Sequence, residues 1–284
     1  FKKSKKIISE FLNKEDFSSD ELDSIEGKSI SEDILNAKEF LSYFYSIDIS
    51  LNYLIEGKEY FEEQSKYHYN IDFNGRKSSD NIYDINDINY GDHKVNNIKP
   101  AESHGTHVAG IIAGLRNNSL GNNGINNHVK IMTLRAVSNG DEYDKDIARA
   151  IIYAVDNGAK VINGSFGKYY SSNPEWVIDA IRYASEKDVL IVHASGNESK
   201  DLDQNKNDNY PNDQYFGNNE FSETFINIGA SSINYDENIK GSFSNYGKKN
   251  VDIFAPGVSI YSALPENKYE FQSGTSMAAP ATSG

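Results

Sequence analysis

Residues 160–192 read KVINGSFGKYYSSNPEWVIDAIRYASEKDVLIV, and this stretch decides the fold. The apolar runs at Lys160–Asn163 and Val189–Val192 are short and rich in β-branched residues, which is typical of buried strands. Between them, Pro174–Lys187 carries apolar side chains at helical spacing, with a proline in the first turn, where a helix tolerates it. Parallel strands need a crossover of this kind, so the stretch predicts a strand, a helix and a second, parallel strand.

The same alternation continues on both sides of this unit. We predict further strands over Val129–Leu134 and Phe225–Ile228, and further helices over His104–Leu115 and Asp144–Asn157. Alternating strands and helices predict an α/β fold with a mostly parallel sheet that is covered by helices on both faces. In such sheets, functional residues collect at the carboxyl ends of the strands.

The first 66 residues have a different character. Ile7–Leu12 has apolar residues at helical spacing, a second helix is predicted from the capping serine Ser31 to about Tyr45, and a third over Leu51–Glu63. No β-branched apolar run occurs among them. We therefore predict a small helical amino-terminal insertion over residues 1–66 and an α/β domain over residues 67–284.

Composition excludes several classes of function. The net charge of −14 argues against nucleic acid binding, which needs a basic surface. The chain has no cysteine, which excludes disulfides, a thiol nucleophile and thiolate metal sites. No apolar run approaches the roughly 18 residues that a membrane span requires. The sequence gives no indication of an oligomeric state.

Three polar segments fall where this architecture places functional loops. His104 begins a helix rich in small residues, and histidine is the usual general base near neutral pH. Asn197 follows a predicted strand, and its amide can donate a hydrogen bond to a developing oxyanion. Ser276 begins a helix among small residues, where its hydroxyl is exposed; it needs a neighbouring base to become a nucleophile.

Each segment has a simpler interpretation when it is taken alone. His104 and His107 are spaced for a metal pair or for mere packing, and Gly196-Asn197 is a common turn. Ser276 is equally a helix cap. The choice between these interpretations depends on the segments occurring together.

Taken together, five segments resemble the subtilase family of serine peptidases, in order and over about residues 100–284. They are HGTHVAG at His104–Gly110, SGN at Ser195–Asn197, SFSNYG at Ser242–Gly247, FAPGV at Phe254–Val258 and GTSMA at Gly274–Ala278. The resemblance implies a subtilisin-like fold, hydrolysis of polypeptides by acyl transfer and no cofactor for the chemistry. It also implies an extracellular or cell-envelope location, and the abundance of Asn, Lys and Ile indicates an AT-rich, bacterial genome.

The resemblance assigns roles to individual residues. His104 is the general base and acid, Ser276 the nucleophile and Asn197 the oxyanion donor, whereas His107 is structural. The segment Asn163–Gly167 pairs with extended substrate as an added strand and lines the pocket for the residue before the scissile bond. Residues after the next strand also bind substrate. These substrate-binding residues are Ser165, Phe166, Gly167, Ala194, Ser195 and Gly196. No catalytic metal is implied.

The third member of the triad, an aspartate that ends a buried strand, does not precede His104. Three explanations stay open: the strand lies upstream of Phe1, the protein is an inactive pseudo-peptidase that binds peptides or acts as a scaffold, or another carboxylate substitutes. The candidate carboxylates are Asp48, Asp72 and Asp92. We expect a domain that is incomplete at both ends, and hence a poorly stable and nearly inactive chain.

Two smaller features concern a cation and the substrate pocket. Leu115–Gly121 resembles a loop that binds structural calcium in many subtilases, although an Asn-rich turn is the simpler interpretation. Phe166 is placed to narrow or floor the substrate pocket. Acidic residues at Asp201, Asp203 and Asp208 are interpreted as a solvated loop rather than as a rim that attracts basic side chains.

Overall fold

The computed structural model describes all residues except 28–29, 47–56, 59–60, 63, 98–101, 205–207 and 215–218. The chain divides into two compact units, Phe1–Asn74 and Gly75–Gly284. This division falls eight residues after the boundary at residue 66 that the change in sequence character predicts.

The first unit is helical. It contains α1 (Lys2–Leu12), α2 (Ser19–Asp23), α3 (Glu32–Ser46) and one π-helical turn at Gln64–His68. Helix α2 begins with a capping box in which Ser18 and Glu21 exchange side-chain and backbone hydrogen bonds. The core of the unit consists of Ile8, Leu22, Ile25, Ala37 and Leu41. The predicted third helix, Leu51–Glu63, falls largely outside the described residues.

The second unit contains four helices and six strands among its described residues. The helices are α4 (His104–Ala113), α5 (Asp144–Asp156), α6 (Pro174–Glu186) and α7 (Thr275–Ser283). The strands are β1 (Val161–Gly164), β2 (Leu190–Ala194), β3 (Phe225–Ser231), β4 (Ile253–Pro256), β5 (Ile260–Leu264) and β6 (Lys268–Gln272).

Strands β1 to β4 form one parallel sheet in the order β1-β2-β3-β4. The register places Val161 opposite Leu190 and Ile191 opposite Phe225. Neighbouring strands therefore end close together, and the loops that follow them gather at one edge of the sheet. This arrangement confirms the parallel sheet that the strand–helix–strand pattern predicts.

Helices cover both faces of the sheet. On one face, α5 and α6 pack against Ile191 and Phe225 through apolar residues such as Ile147 and Ile181. On the other face, α7 packs on β2, β3 and β4 through Ala278 and Ala279. The small side chains of α7 allow its backbone to approach the sheet closely. The predicted α/β fold with helices on both faces is confirmed.

The predicted strand at Val129–Leu134 is wrong. These residues adopt no strand, and among the described residues no strand pairs with them. Val129, Ile131 and Met132 are 40%, 44% and 41% exposed. A strand exists only by pairing, so an apolar, β-branched sequence is not sufficient to make one. Among the described strands, β1 likewise lies at an edge of the sheet without a second neighbour, and Val161 there is 41% exposed.

An antiparallel hairpin, β5–β6, was not predicted. Its turn, Pro265–Asn267, contains Glu266 and Asn267 in the left-handed region, at φ 64° and 57°. Helix α4 packs against β5 at Gly110, where an added Cβ would lie 2.4 Å from the Ser262 hydroxyl. In the described part of the chain, no helix has both the length and the apolarity needed to cross a membrane.

Candidate active site

Ser276 lies in the first turn of α7, close to the end of β1. Its hydroxyl donates a long hydrogen bond, 3.4 Å, to the Ser165 carbonyl oxygen. In return, the Ser165 hydroxyl donates to the Ser276 carbonyl oxygen at 2.9 Å and accepts from Asn163 Nδ2 at 2.9 Å. These bonds fasten the start of α7 to the loop after β1. The half-buried Ser276 hydroxyl is thereby held at the edge of the sheet.

Asn197, which follows β2, is tied to the same helix terminus. Its Oδ1 accepts from the backbone N–H of Thr275 at 2.9 Å and from the Thr275 hydroxyl at 3.1 Å. Because the oxygen is engaged, the orientation of the carboxamide is fixed and Nδ2 is the atom left for a ligand. Gly196 makes the turn possible: its φ is 100°, and a Cβ there would lie 2.4 Å from Asn245 Nδ2.

His104 is the first residue of α4, and this helix packs against α7. The residue retains solvent exposure, but the surrounding protein atoms desolvate the ring and lower its pKa, and the neighbouring His107 lowers it further. A lowered pKa keeps the imidazole neutral near pH 7, as a general base requires. Among the described residues, no hydrogen bond joins His104 to Ser276 or to a carboxylate.

His107 lies one helical turn further along α4 and is fully buried. Its Nε2 is 3.2 Å from the Glu270 carbonyl oxygen of β6, and its own carbonyl oxygen accepts from the Ser262 hydroxyl at 2.7 Å. These contacts attach α4 to the hairpin and agree with a structural role. Within the described chain, no three His, Asp or Glu side chains are arranged to hold a metal ion.

Of the carboxylates considered as substitutes for the triad aspartate, Asp92 forms no hydrogen bond or ion pair with His104 among the described residues. Asp48 lies outside the described residues. Asp72 and Asp92 are exposed, and Asp92 bonds the backbone N–H of Lys94 at 2.8 Å. The third explanation therefore has no support among the described residues, and the other two stay open.

The predicted substrate-binding segment after β1 contacts a buried histidine. His193, in β2, is fully buried, with Nε2 2.7 Å from the Phe166 carbonyl oxygen and Nδ1 3.2 Å from Asn227 Oδ1. Burial lowers the pKa of His193 to about 4, although both hydrogen bonds oppose the shift. The Phe166 ring is half-buried and lines a cleft beside Gly167, as a pocket floor would.

The residues predicted after β2 are less accessible than expected. Ala194 and Ser195 are 5% and 0% exposed, because the chain does not leave the sheet until Gly196. The Ser195 carbonyl oxygen is also occupied, since it accepts from Asn209 Nδ2 at 2.9 Å and Asn245 Nδ2 at 2.7 Å. Of the three residues, Gly196 alone reaches solvent, so direct substrate contact by the Ala194 and Ser195 side chains is not supported.

The Asn-rich loop after α4 uses its side-chain oxygens within the loop. Asn118 Oδ1 accepts from the backbone N–H of Leu120, and Asn123 Oδ1 accepts from the backbone N–H of Asn117, both at 3.0 Å. Asn117 and Ser119 have positive φ angles of 59° and 61°. This geometry is that of an asparagine-stabilised turn. It leaves backbone carbonyl oxygens as ligands for a cation, so calcium at Leu115–Gly121 stays a prediction.

Sequence reasoning missed the roles of three residues. Thr275 belongs to the serine motif, but nothing in the sequence shows that it orients Asn197. Asp203 is not simply solvated: its carboxylate accepts from the backbone N–H groups of residues 248–250, at 2.7 to 3.1 Å, which lowers its pKa. Glu142 lines the cleft beside Phe166, and a lone acid before a helix carries no signal of such a position.

Known proteins are similar to this chain over most of its length. A family model described as the subtilase family matches residues 29–284. The thermophilic serine proteinase of Bacillus sp. (strain AK1) is 39% identical over 71% of this chain and 44% of that protein. Thermitase of Thermoactinomyces vulgaris is 38% identical over 64% of this chain and 58% of that protein.

The solved structures give the same picture. A cold adapted subtilisin-like serine proteinase is similar with a TM-score of 0.52 and 29% identity, over 64% of this chain and 59% of that chain. A second structure, a psychrophilic protease, has a TM-score of 0.56 and 28% identity over 69% of this chain. The chain thus spans about half the length of the curated relatives named above.

Proposed function

Because the chain belongs to the subtilase family, we propose that it carries the histidine and serine of a serine endopeptidase site. His104 is the general base, Ser276 the nucleophile and Asn197 the oxyanion donor. One observation carries the proposal: Asn197 bonds the backbone N–H of Thr275, directly before Ser276. The predicted oxyanion donor and nucleophile, 79 positions apart in the sequence, are therefore neighbours in space.

The chemistry is acyl transfer to Ser276. The serine hydroxyl attacks a peptide carbonyl while the neutral imidazole of His104 takes its proton. The negative charge that develops on the carbonyl oxygen accepts a hydrogen bond from Asn197 Nδ2. His104 then gives the proton to the leaving amine, and water hydrolyses the acyl-enzyme with the same imidazole as base. Substrate binding brings the imidazole and the hydroxyl into hydrogen-bonding range.

Variants of the two serines near the start of α7 test the proposal. Ser276→Ala and His104→Ala are expected to abolish hydrolysis of a general polypeptide substrate such as casein. Ser273→Ala is the matched control, because Ser273 is exposed and its hydroxyl accepts a hydrogen bond from the backbone N–H of Ser259. Hydrolysis that survives Ser276→Ala would contradict the assignment.

We further propose that a strand ending in aspartate completes the triad at the open edge beside β1. Exposed apolar side chains at this edge and in residues 129–132 support the idea, since an added strand would cover them. The chain alone is then expected to hydrolyse peptides about 10⁴-fold more slowly than one extended upstream, a magnitude known from subtilisin. Equal rates for the two would contradict this part of the proposal.

The second candidate function is an inactive peptide-binding module. It is favoured by the finding that His104 has no carboxylate partner among the described residues. The two functions differ in one observable property: the module binds peptides without turnover even when the chain is extended upstream. The endopeptidase cleaves them.

Calcium at Leu115–Gly121 is a separate proposal, decided by thermal melting with calcium and with a chelator. Calcium held by this loop raises the melting temperature of the wild type but not that of Asn118→Ala, in which the turn is disrupted. If calcium leaves the melting temperature of the wild type unchanged, the proposal that this loop binds calcium is wrong. No cofactor takes part in the proposed chemistry.

The remaining expectations follow from the family. Polypeptides are the proposed substrates, and an extracellular or cell-envelope location in a bacterium is the proposed setting. Relatives in Bacillus and Thermoactinomyces, including a cell wall-associated protease of Bacillus subtilis, support this location. The acidic charge of the chain agrees with a highly soluble exported enzyme.

A further inference from the structure

A shallow cleft lies beside Ser165–Gly167, the segment that the proposed function assigns to substrate binding. Its enclosed space is small, about 10 Å³, so a ligand there would lie mainly along the open side of the cleft. Its walls are the residues just before α5, the loop after β1 and Tyr210–Pro211. Two backbone hydrogen bonds between Lys168 and Tyr210, at 2.8 and 2.9 Å, join two of these walls. The cleft is therefore a built part of the fold.

Two of the charged side chains in the cleft neutralise each other. Asp144 is buried and pairs with the Lys168 ammonium at 2.8 Å. Its carboxylate also accepts from the Ser171 hydroxyl at 2.7 Å and from the backbone N–H of Asn173 at 2.9 Å. Lys168 makes its other hydrogen bond to the carbonyl oxygen of Glu142, not to the carboxylate. This ion pair is complete without a ligand.

The Glu142 carboxylate is different. It is half-buried, and in the described part of the chain it accepts one hydrogen bond, from the backbone N–H of Gly167 at a long 3.4 Å. Burial raises the pKa of Glu142 to about 7. Carboxylates that leave water are normally well paired, so an under-bonded one in a cleft indicates a ligand that brings the missing charge.

We propose that this cleft binds an arginine or lysine side chain of the peptide substrate and that Glu142 is the residue that selects it. When Glu142 is ionised, the two carboxylates and one ammonium leave one negative charge, and a cationic group bound there would neutralise it and favour the ionised form. The apolar side chains of Ile147, Phe166 and Val177 line the same cleft and suit the methylene groups of a long basic side chain. The inference rests on the proposed function, because it requires peptide beside Ser165–Gly167.

Binding, rather than cleavage, provides the test. Fluorescent peptides that differ only in arginine or citrulline, at each of four positions before the scissile bond, are titrated against the full chain carrying Ser276→Ala. Citrulline has the shape of arginine without its charge. At one position, arginine is expected to bind about tenfold more tightly than citrulline, as for a charge-assisted hydrogen bond.

Glu142→Gln, which keeps the shape of the side chain, is expected to reduce that ratio to about one. Asp141→Asn is the matched control: it removes the adjacent exposed carboxylate and is expected to keep the ratio. Equal binding of both peptides to the parent chain, or a ratio that survives Glu142→Gln, overturns the inference and leaves the proposed function standing. Failure of every peptide to bind would overturn both.

Discussion

At the scale of single residues, Asn197 shows how one side chain connects several parts of the site. Its oxygen is held by Thr275, and Gly196 before it occupies a conformation that other residues rarely adopt. The sequence motif predicts that Asn197 donates to an oxyanion. It does not predict what orients the amide, because the hydrogen bond to Thr275 spans 78 positions.

Asn197→Asp separates the two functions of this side chain. Aspartate keeps an oxygen for the Thr275 N–H but loses the Nδ2 donor. We expect a melting temperature close to that of the parent and a turnover about 10²–10³-fold lower, a magnitude known from subtilisin. Peptide hydrolysis and thermal melting of the same preparation check both expectations. Undiminished turnover in this variant would exclude Asn197 as the oxyanion donor.

His193 links stability to pH. The folded state keeps the ring neutral down to about pH 4, whereas the unfolded chain takes up the proton near the ordinary pKa of 6.5. The unfolded state therefore binds more protons between these values, and stability falls as the pH is lowered through this range. Between pH 7.5 and pH 5, the loss from this residue is about 2 kcal/mol.

Urea unfolding at the two pH values measures this loss. His193→Gln cannot titrate and is expected to remove the loss, while His128→Gln, at an exposed histidine, is expected to keep it. Other titrating groups are present in all three proteins and cancel in the comparison. The same pH dependence in wild type and His193→Gln would contradict the assignment.

At the scale of elements, the sequence predicts helices from local signals but does not predict every strand, because a strand depends on pairing with distant residues. Helices α5 and α6 are predicted within a residue, because apolar spacing, the proline and the glycine after α5 are all local signals. The apolar run at Val129–Leu134 has equally good local signals but no described partner strand. Hairpin β5–β6 was not predicted because its turn residues adopt a left-handed conformation, which their residue types do not indicate.

The contact between α4 and β5 gives a prediction at this scale. A methyl group at Gly110 would lie 2.4 Å from the Ser262 hydroxyl, which cannot move without losing its bond to the His107 carbonyl. Gly110→Ala is therefore expected to lower the free energy of unfolding by about 2 kcal/mol. Gly105→Ala, on the same helix with nothing within 4 Å, is expected to be neutral or stabilising. Urea unfolding of both variants decides, and equal effects would refute this account of the packing.

At the scale of the whole molecule, the fold brings two of the three proposed catalytic residues to the same place. His104, Asn197 and Ser276 come from three distant segments, and only a parallel sheet with α7 across one face gathers the last two at one edge. The sequence does not predict the contacts around the site. Among these are the burial of Ser195, the turn geometry after α4 and the small number of hydrogen bonds to the Glu142 carboxylate. These depend on distant contacts, which no local pattern encodes.

Labelling of the intact protein with a fluorophosphonate probe tests the central claim most directly. We predict a single adduct, located on Ser276 by mass spectrometry of the digested protein. His104→Ala is expected to slow its formation about 10²-fold or more, because the hydroxyl loses its base. An adduct on another serine, or labelling of Ser276 at an unchanged rate in His104→Ala, would contradict the account.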